Sequence, residues 1–73
     1  MNQHTFELTR EFITLNSLLK LLTIAPSGGI AKMMIAAGEV EVNGEIELRK
    51  TRKLREGDVV RVGEEEIKIV PAS

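Results

Sequence analysis

Apolar residues recur along this chain with one period in its first half and another in its second. Leu15, Leu18, Leu19 and Leu22 fall at i, i+3, i+4 and i+7, one face of a helix, and Thr14 stands where an N-cap belongs. Pro26 biases Ala25 away from helical geometry, so this helix is expected to close near Thr23 or Ile24. Ser27 is a second N-cap. Ile30, Met33, Met34 and Ala37 repeat the helical spacing, and Gly38 takes the left-handed position that ends many helices. The spacing predicts a second helix over 28–37 and a helical hairpin with one shared apolar face. Met33 and Met34 read as core filling first, with a protein-binding surface as the alternative.

The period then drops to two. Val40 and Val42 alternate with Glu39 and Glu41, and Ile46 and Leu48 with Glu45 and Glu47, around Asn43-Gly44. Asn-Gly between alternating runs is a strong hairpin signal, because both turn positions need positive φ. Glu56-Gly57-Asp58 reads as a turn, Val59 to Val62 as a strand, and Gly63-Glu64 as a reversal. Glu66 to Val70 reads as a last strand, and Pro71-Ala72-Ser73 is expected to fray. Ahead of the helices, Thr5 to Leu8 alternates well enough for a short strand. The expected architecture is α+β: a two-helix hairpin packed on a small antiparallel β-sheet, forming a single domain over 1–73.

Seventy-three residues leave little room for a walled catalytic cavity beside a core. There is no cysteine, so neither a disulfide framework nor a thiolate zinc site can be built, and no metal site or cofactor is expected. The N-terminus lacks the cationic start and apolar run of a signal peptide, and no apolar stretch approaches the ~20 residues of a membrane span. A cytoplasmic protein without membrane attachment is the expectation. The chain has no Walker-type phosphate loop, no acidic cluster with metal-ligand spacing, and one histidine, His4, placed in an expected flexible tail and given no role. Catalysis and a small-molecule substrate are not expected.

Net charge is −1, which argues against a polyanionic partner until its distribution is read. Arg49, Lys50, Arg52, Lys53 and Arg55 place five positive charges in residues 49–55 with no negative one, leaving −6 for the rest. With a screening length of about 8 Å at physiological salt, such a cluster is felt locally whatever the total. Continuing the strand alternation would bury Lys50 and Arg52 unpaired, at high cost. The strand phase is therefore expected to break near Arg49, with 49–53 projecting until Leu54 returns to the core. A charge run can simply protect a sheet edge. Five cations that repel one another favour an anionic partner instead, and phosphate suits guanidinium and ammonium groups alike. Were these guanidinium and ammonium groups tied up in pairs with the chain's own carboxylates, no case for such a partner would remain. The only aromatics, Phe6 and Phe12, are both N-terminal, so recognition through backbone and shape is expected rather than base stacking. Ser27-Gly28-Gly29 at a helix start offers a phosphate seat or merely a cap. Lys32 one turn on, and more weakly Lys20, are further candidate contacts.

The runs Ile13-Thr14-Leu15, Leu18-Leu19-Lys20, Ser27-Gly28-Gly29, Ala31-Lys32, Gly38-x-Val40-x-Val42-Asn43-Gly44-Glu45 and Arg49-Lys50-x-Arg52-Lys53-Leu54-x-x-Gly57-Asp58 resemble the alpha-L RNA-binding domain named after ribosomal protein S-four. Within it they are most similar to the stand-alone bacterial YbcJ-like subgroup. The resemblance covers about 13–62 and leaves 1–12 outside the generic domain. It implies binding of structured RNA, often ribosomal RNA, along the helix pair and an adjacent loop, in ribosome assembly or translation. By position it implies RNA contacts at Ser27, Lys32, Arg49, Lys50, Arg52 and Lys53, to which the basic run adds Arg55. Gly28 stands where many members carry arginine, which shifts weight onto the 49–55 segment. The rival expectation is a protein–protein adaptor whose basic segment docks an acidic partner. A ubiquitin-like sulfur carrier would end in Gly-Gly, and this chain ends Pro71-Ala72-Ser73.

Overall fold

The computed structural model describes residues 2–72. Its elements are β1 (Asn2–Leu8), β2 (Ile13–Thr14), α1 (Leu15–Leu21), α2 (Gly28–Ala36), β3 (Val40–Val42), β4 (Glu45–Ile46), β5 (Lys53–Leu54), β6 (Val59–Val62) and β7 (Glu65–Pro71). Five strands form one sheet in the order β1-β7-β6-β3-β4, and β2 pairs with β5 in a small second sheet. The architecture is α+β, with two helices over a mixed sheet.

The hairpin expected at Asn43-Gly44 is present, with both residues left-handed at φ 53° and 86°. Across the antiparallel strands Val42, Val60 and Ile67 stand in register, as do Val40 and Val62, and all are buried. The opposite face carries Glu41, Arg61 and Glu66 in one cross-strand row, so unlike charges meet where the sheet faces water. Leu15, Leu18 and Leu19 of α1 and Ala31 and Ile35 of α2 close the core over the apolar face.

Three expectations need correction. First, the sheet is not wholly antiparallel. β1 runs from Asn2 rather than Thr5 and lies parallel to β7, from Asn2 opposite Glu65 to Leu8 opposite Pro71. Parallel strands cannot be joined by a tight turn, so no local signal could announce this pairing. It puts His4 in a strand, with Nε2 3.3 Å from Glu65 Oε2, instead of a flexible tail. Pro71 ends β7 rather than fraying, a strand position that tolerates its missing N–H, while Ser73 lies outside the described residues.

Second, the buried face of α2 is turned from the expected one. Ala31 and Ile35 are buried, Met34 is half-buried, and Ile30 and Met33 are exposed, Met33 by 66 %. The helix reads Gly-Gly-Ile-Ala-Lys-Met-Met-Ile-Ala, apolar on nearly every side, so periodicity alone does not select a face. Close helix packing selects the small Ala31. Met33 is therefore not core filling. Third, α1 ends at Leu21, and the reversal is made by Thr23 in the left-handed region at φ 56°. Ile24 and Ala25 N–H both donate back to Leu19 O, before Pro26 is reached.

Candidate functional site

The strand phase breaks earlier than expected, and the break builds the site. Glu47 N–H still donates to Val40 O, extending the pairing with β3, but its side chain turns inward while Ile46 and Leu48 are each 62 % exposed. The expected inward positions are thus outside, and Glu47 is the buried charged residue among those described. A buried carboxylate needs partners. Its Oε2 accepts from Arg49 N–H at 3.1 Å and Arg49 Nε at 3.0 Å, and its Oε1 from Arg49 Nη2 at 3.2 Å and Arg52 Nη1 at 2.7 Å. The Arg49 fork is bidentate, the strong form of this pair. Those hydrogen bonds, chiefly from Arg49, hold the Glu47 carboxyl at about 2 against the opposing effect of burial, and Glu47 raises the Arg49 guanidinium in return.

From there the chain turns. Arg52 N–H donates to Arg49 O, carrying Lys50 and Thr51 at the tip. Leu15 N–H donates to Arg52 O at 2.9 Å and Asn16 N–H to Lys50 O at 3.0 Å, stitching the turn to the first residues of α1. β5 then pairs with β2, Lys53 opposite Thr14 and Leu54 opposite Ile13, with Leu54 fully buried as expected. At the far end Arg55 N–H donates to Asp58 Oδ2 at 2.8 Å. The basic segment is fixed at both ends and in its middle.

The five cations therefore share one platform with different fates. Arg49 pairs with Glu47 yet keeps its side chain 72 % exposed, whereas Arg52 is 32 % exposed. Lys53 Nζ stands 5.0 Å from the Phe12 ring centroid and the Arg55 guanidinium carbon 6.0 Å from it. Among the described ion pairs Glu47 meets Arg49 and Arg52, and Lys50, Lys53 and Arg55 have no carboxylate partner there. Arg49, Thr51, Arg52, Lys53 and Arg55 line a shallow depression of about 330 Å³, suited in size and charge to an anionic group.

The remaining sequence candidates lie apart from this cluster. Ser27 caps α2, accepting from Ile30 N–H at 3.2 Å, which leaves its hydroxyl proton free to donate. Lys32 is exposed on α2. Among the described residues no hydrogen bond or ion pair joins either to 49–55. Sequence reasoning missed Glu47 and Phe12. Glu47 had a signal, as the last carboxylate before a cationic run; Phe12 had none, because only the β2–β5 pairing brings it to Lys53 and Arg55. Among the described residues no group of three or more His, Cys, Asp or Glu could hold a metal, and no helix is long and apolar enough to cross a membrane.

Comparison with known proteins is consistent along the chain. The model of the S4 domain matches residues 6–70. The probable ribosome maturation protein RlbA of Bacillus subtilis (strain 168) is 48 % identical over 52 residues, 71 % of this chain and 73 % of that protein. The solution structure of YbcJ from E. coli, described as revealing an alpha-L motif involved in RNA binding, superposes with a TM-score of 0.64 at 33 % identity. That superposition covers 96 % of this chain and 87 % of YbcJ. With the two helices, the sheet and the match over 6–70 in agreement, this chain belongs to the S4-domain family.

Proposed function

We propose that this chain is a non-catalytic binder of structured RNA, ribosomal RNA foremost, serving ribosome assembly or translation. The observation that carries the proposal is the basic segment itself: five cations, two of them ion-paired to Glu47, on a turn and strand whose backbone N–H groups are held at both ends. Such a platform meets a polyanion without first having to be ordered, which removes an entropic cost of binding. Lys50, Lys53 and Arg55 have no ion pair with a carboxylate among those described, and Arg49 stays exposed while paired. Arg49 and Arg52 offer the phosphate backbone the N–H groups that Glu47 does not take, and the lysines act on it as point charges. Ser27 and Lys32, on the other helix, add a second contact where the RNA is wide enough to reach them. The family, and relatives named for ribosome maturation and RNA binding, support the same reading.

The test is ultraviolet crosslinking in cells followed by sequencing of the recovered RNA. Ribosomal RNA should dominate the yield from the wild type and fall away in a Lys50→Gln, Lys53→Gln, Arg55→Gln variant. Those three positions leave the Glu47 cluster intact, so the variant should fold normally. Recovery of an acidic protein that survives nuclease treatment, with no RNA enrichment, would replace this reading by the adaptor.

A further inference from the structure

Beside the basic segment lies a second feature that phosphate binding does not use. The end of β1, the 9–12 loop, β2 and the outer side of α1 enclose an open groove of about 730 Å³. Its apolar wall includes Phe6, Phe12, Ile13 and Leu21, and Leu21 is 62 % exposed although it belongs to a helix whose other leucines are buried. Its charged lining comprises Arg10 and Lys20 against the single carboxylate of Glu11. Phe12 is shared with the basic segment, since the same ring carries Lys53 and Arg55. The groove therefore sits one strand pair away from the proposed phosphate contacts, through Thr14 opposite Lys53.

We infer that this groove receives an unpaired nucleobase of the bound RNA, against Phe12 and Leu21, while Lys53 and Arg55 hold the adjacent phosphates. The inference rests on the RNA-binding reading and adds to it a preference for RNA with a base free to leave its helix. The chemistry is that of an apolar, π-faced planar group flanked by anions, and the groove offers an aromatic ring, aliphatic walls and cations in the same order. Single-stranded bases are commonly recognised on such aromatic platforms. A purely apolar occupant would leave the cations at the groove's rim unanswered, which favours a nucleotide over an apolar peptide.

The experiment compares three RNA hairpins of one stem: fully paired, with a single-adenosine bulge, and with the same bulge made abasic. The wild-type chain should bind the adenosine bulge about tenfold tighter than the abasic one, the order expected for one stacked base. Phe12→Leu should remove that preference, costing more affinity for the adenosine bulge than for the paired or abasic hairpins. Leu21→Asn, at an exposed position, should weaken the preference in the same direction while leaving affinity for the paired hairpin close to wild type. Amide and side-chain NMR shifts of Phe6 and Leu21 should move with the adenosine bulge only. Equal binding of all three hairpins by the wild type overturns the base site while leaving the phosphate platform standing. Equal loss on all three in Phe12→Leu also overturns it, reducing Phe12 to a support for Lys53 and Arg55. Unmoved groove shifts with every RNA leave the groove to a protein segment. Failure of all three hairpins to bind removes the platform itself, and the base site with it.

Discussion

Glu47 determines how much of the cationic charge is neutralised within the molecule. It is buried, accepts four hydrogen bonds and meets two guanidinium groups. Exposed ion pairs contribute up to about 1 kcal/mol, and removing one partner of a fully buried pair costs about 3–5 kcal/mol. This cluster, half open through Arg49, falls between, so Glu47→Gln should cost about 1–2 kcal/mol, or roughly 5–15 °C in melting temperature. Because the folded-state pKa of Glu47 lies at about 2, below its ordinary 4.5, its stabilisation is fully present above pH 4.5. It is lost as pH falls through 4.5 toward 2, and that acid loss should be shallower in Glu47→Gln. Unfolding curves at a series of pH values check both effects; identical acid profiles would refute the role given to this carboxylate. Replacing Arg49 and Arg52 together should also lower stability, because it strands the buried carboxylate. The five cations were legible in the sequence as a cluster, but their inequality was not. Alternation assigned Glu47 to solvent, and only the strand's rotation at Ile46 shows that it faces in.

At the scale of elements, the parts governed by local rules were readable and the parts governed by distant pairing were not. The Asn43-Gly44 hairpin, the Ser27 cap and the left-handed Gly38 each follow from a few neighbouring residues, and each is present. The parallel β1–β7 pairing and the β2–β5 contact join segments far apart in the chain, where no turn residue marks the register. The orientation of α2 was hidden differently, by a helix apolar on too many sides. Ile35→Ala should cost about 2–5 kcal/mol as a buried large-to-small change, whereas Met33→Ser should stay within about 0.5 kcal/mol at an exposed position; chemical denaturation of the pair distinguishes the two faces. Thr23 carries strain of its own, a β-branched residue at φ 56°. Thr23→Gly should stabilise the chain by at most about 0.5–1 kcal/mol, the left-handed penalty less the freedom glycine loses on folding, and by less to the extent that the lost Thr23 hydroxyl bond to Leu22 O contributes. A lower melting temperature for that variant would show that the hydroxyl bond outweighs the strain.

The whole molecule separates its charges by task. A five-stranded sheet with unlike charges in register across its wet face supports two helices, and α1 in turn supports the cationic turn through its first backbone N–H groups. The net charge of −1 conceals this division, because the excess of carboxylates lies outside residues 49–55. Counterion release makes the division measurable. Four effective phosphate contacts predict a slope of log K against log salt of about −3 to −4, from roughly 0.7–0.9 per contact. Removing Lys50, Lys53 and Arg55 leaves two guanidinium groups against one carboxylate, and the slope should flatten to about −1. The decisive measurement is therefore the salt dependence of binding to a ribosomal RNA hairpin by wild type and by the Lys50→Gln, Lys53→Gln, Arg55→Gln variant, both shown to melt alike. A steep wild-type slope that flattens in the variant is the predicted result; equal slopes for the two proteins would contradict the assignment of the phosphate contacts to this segment.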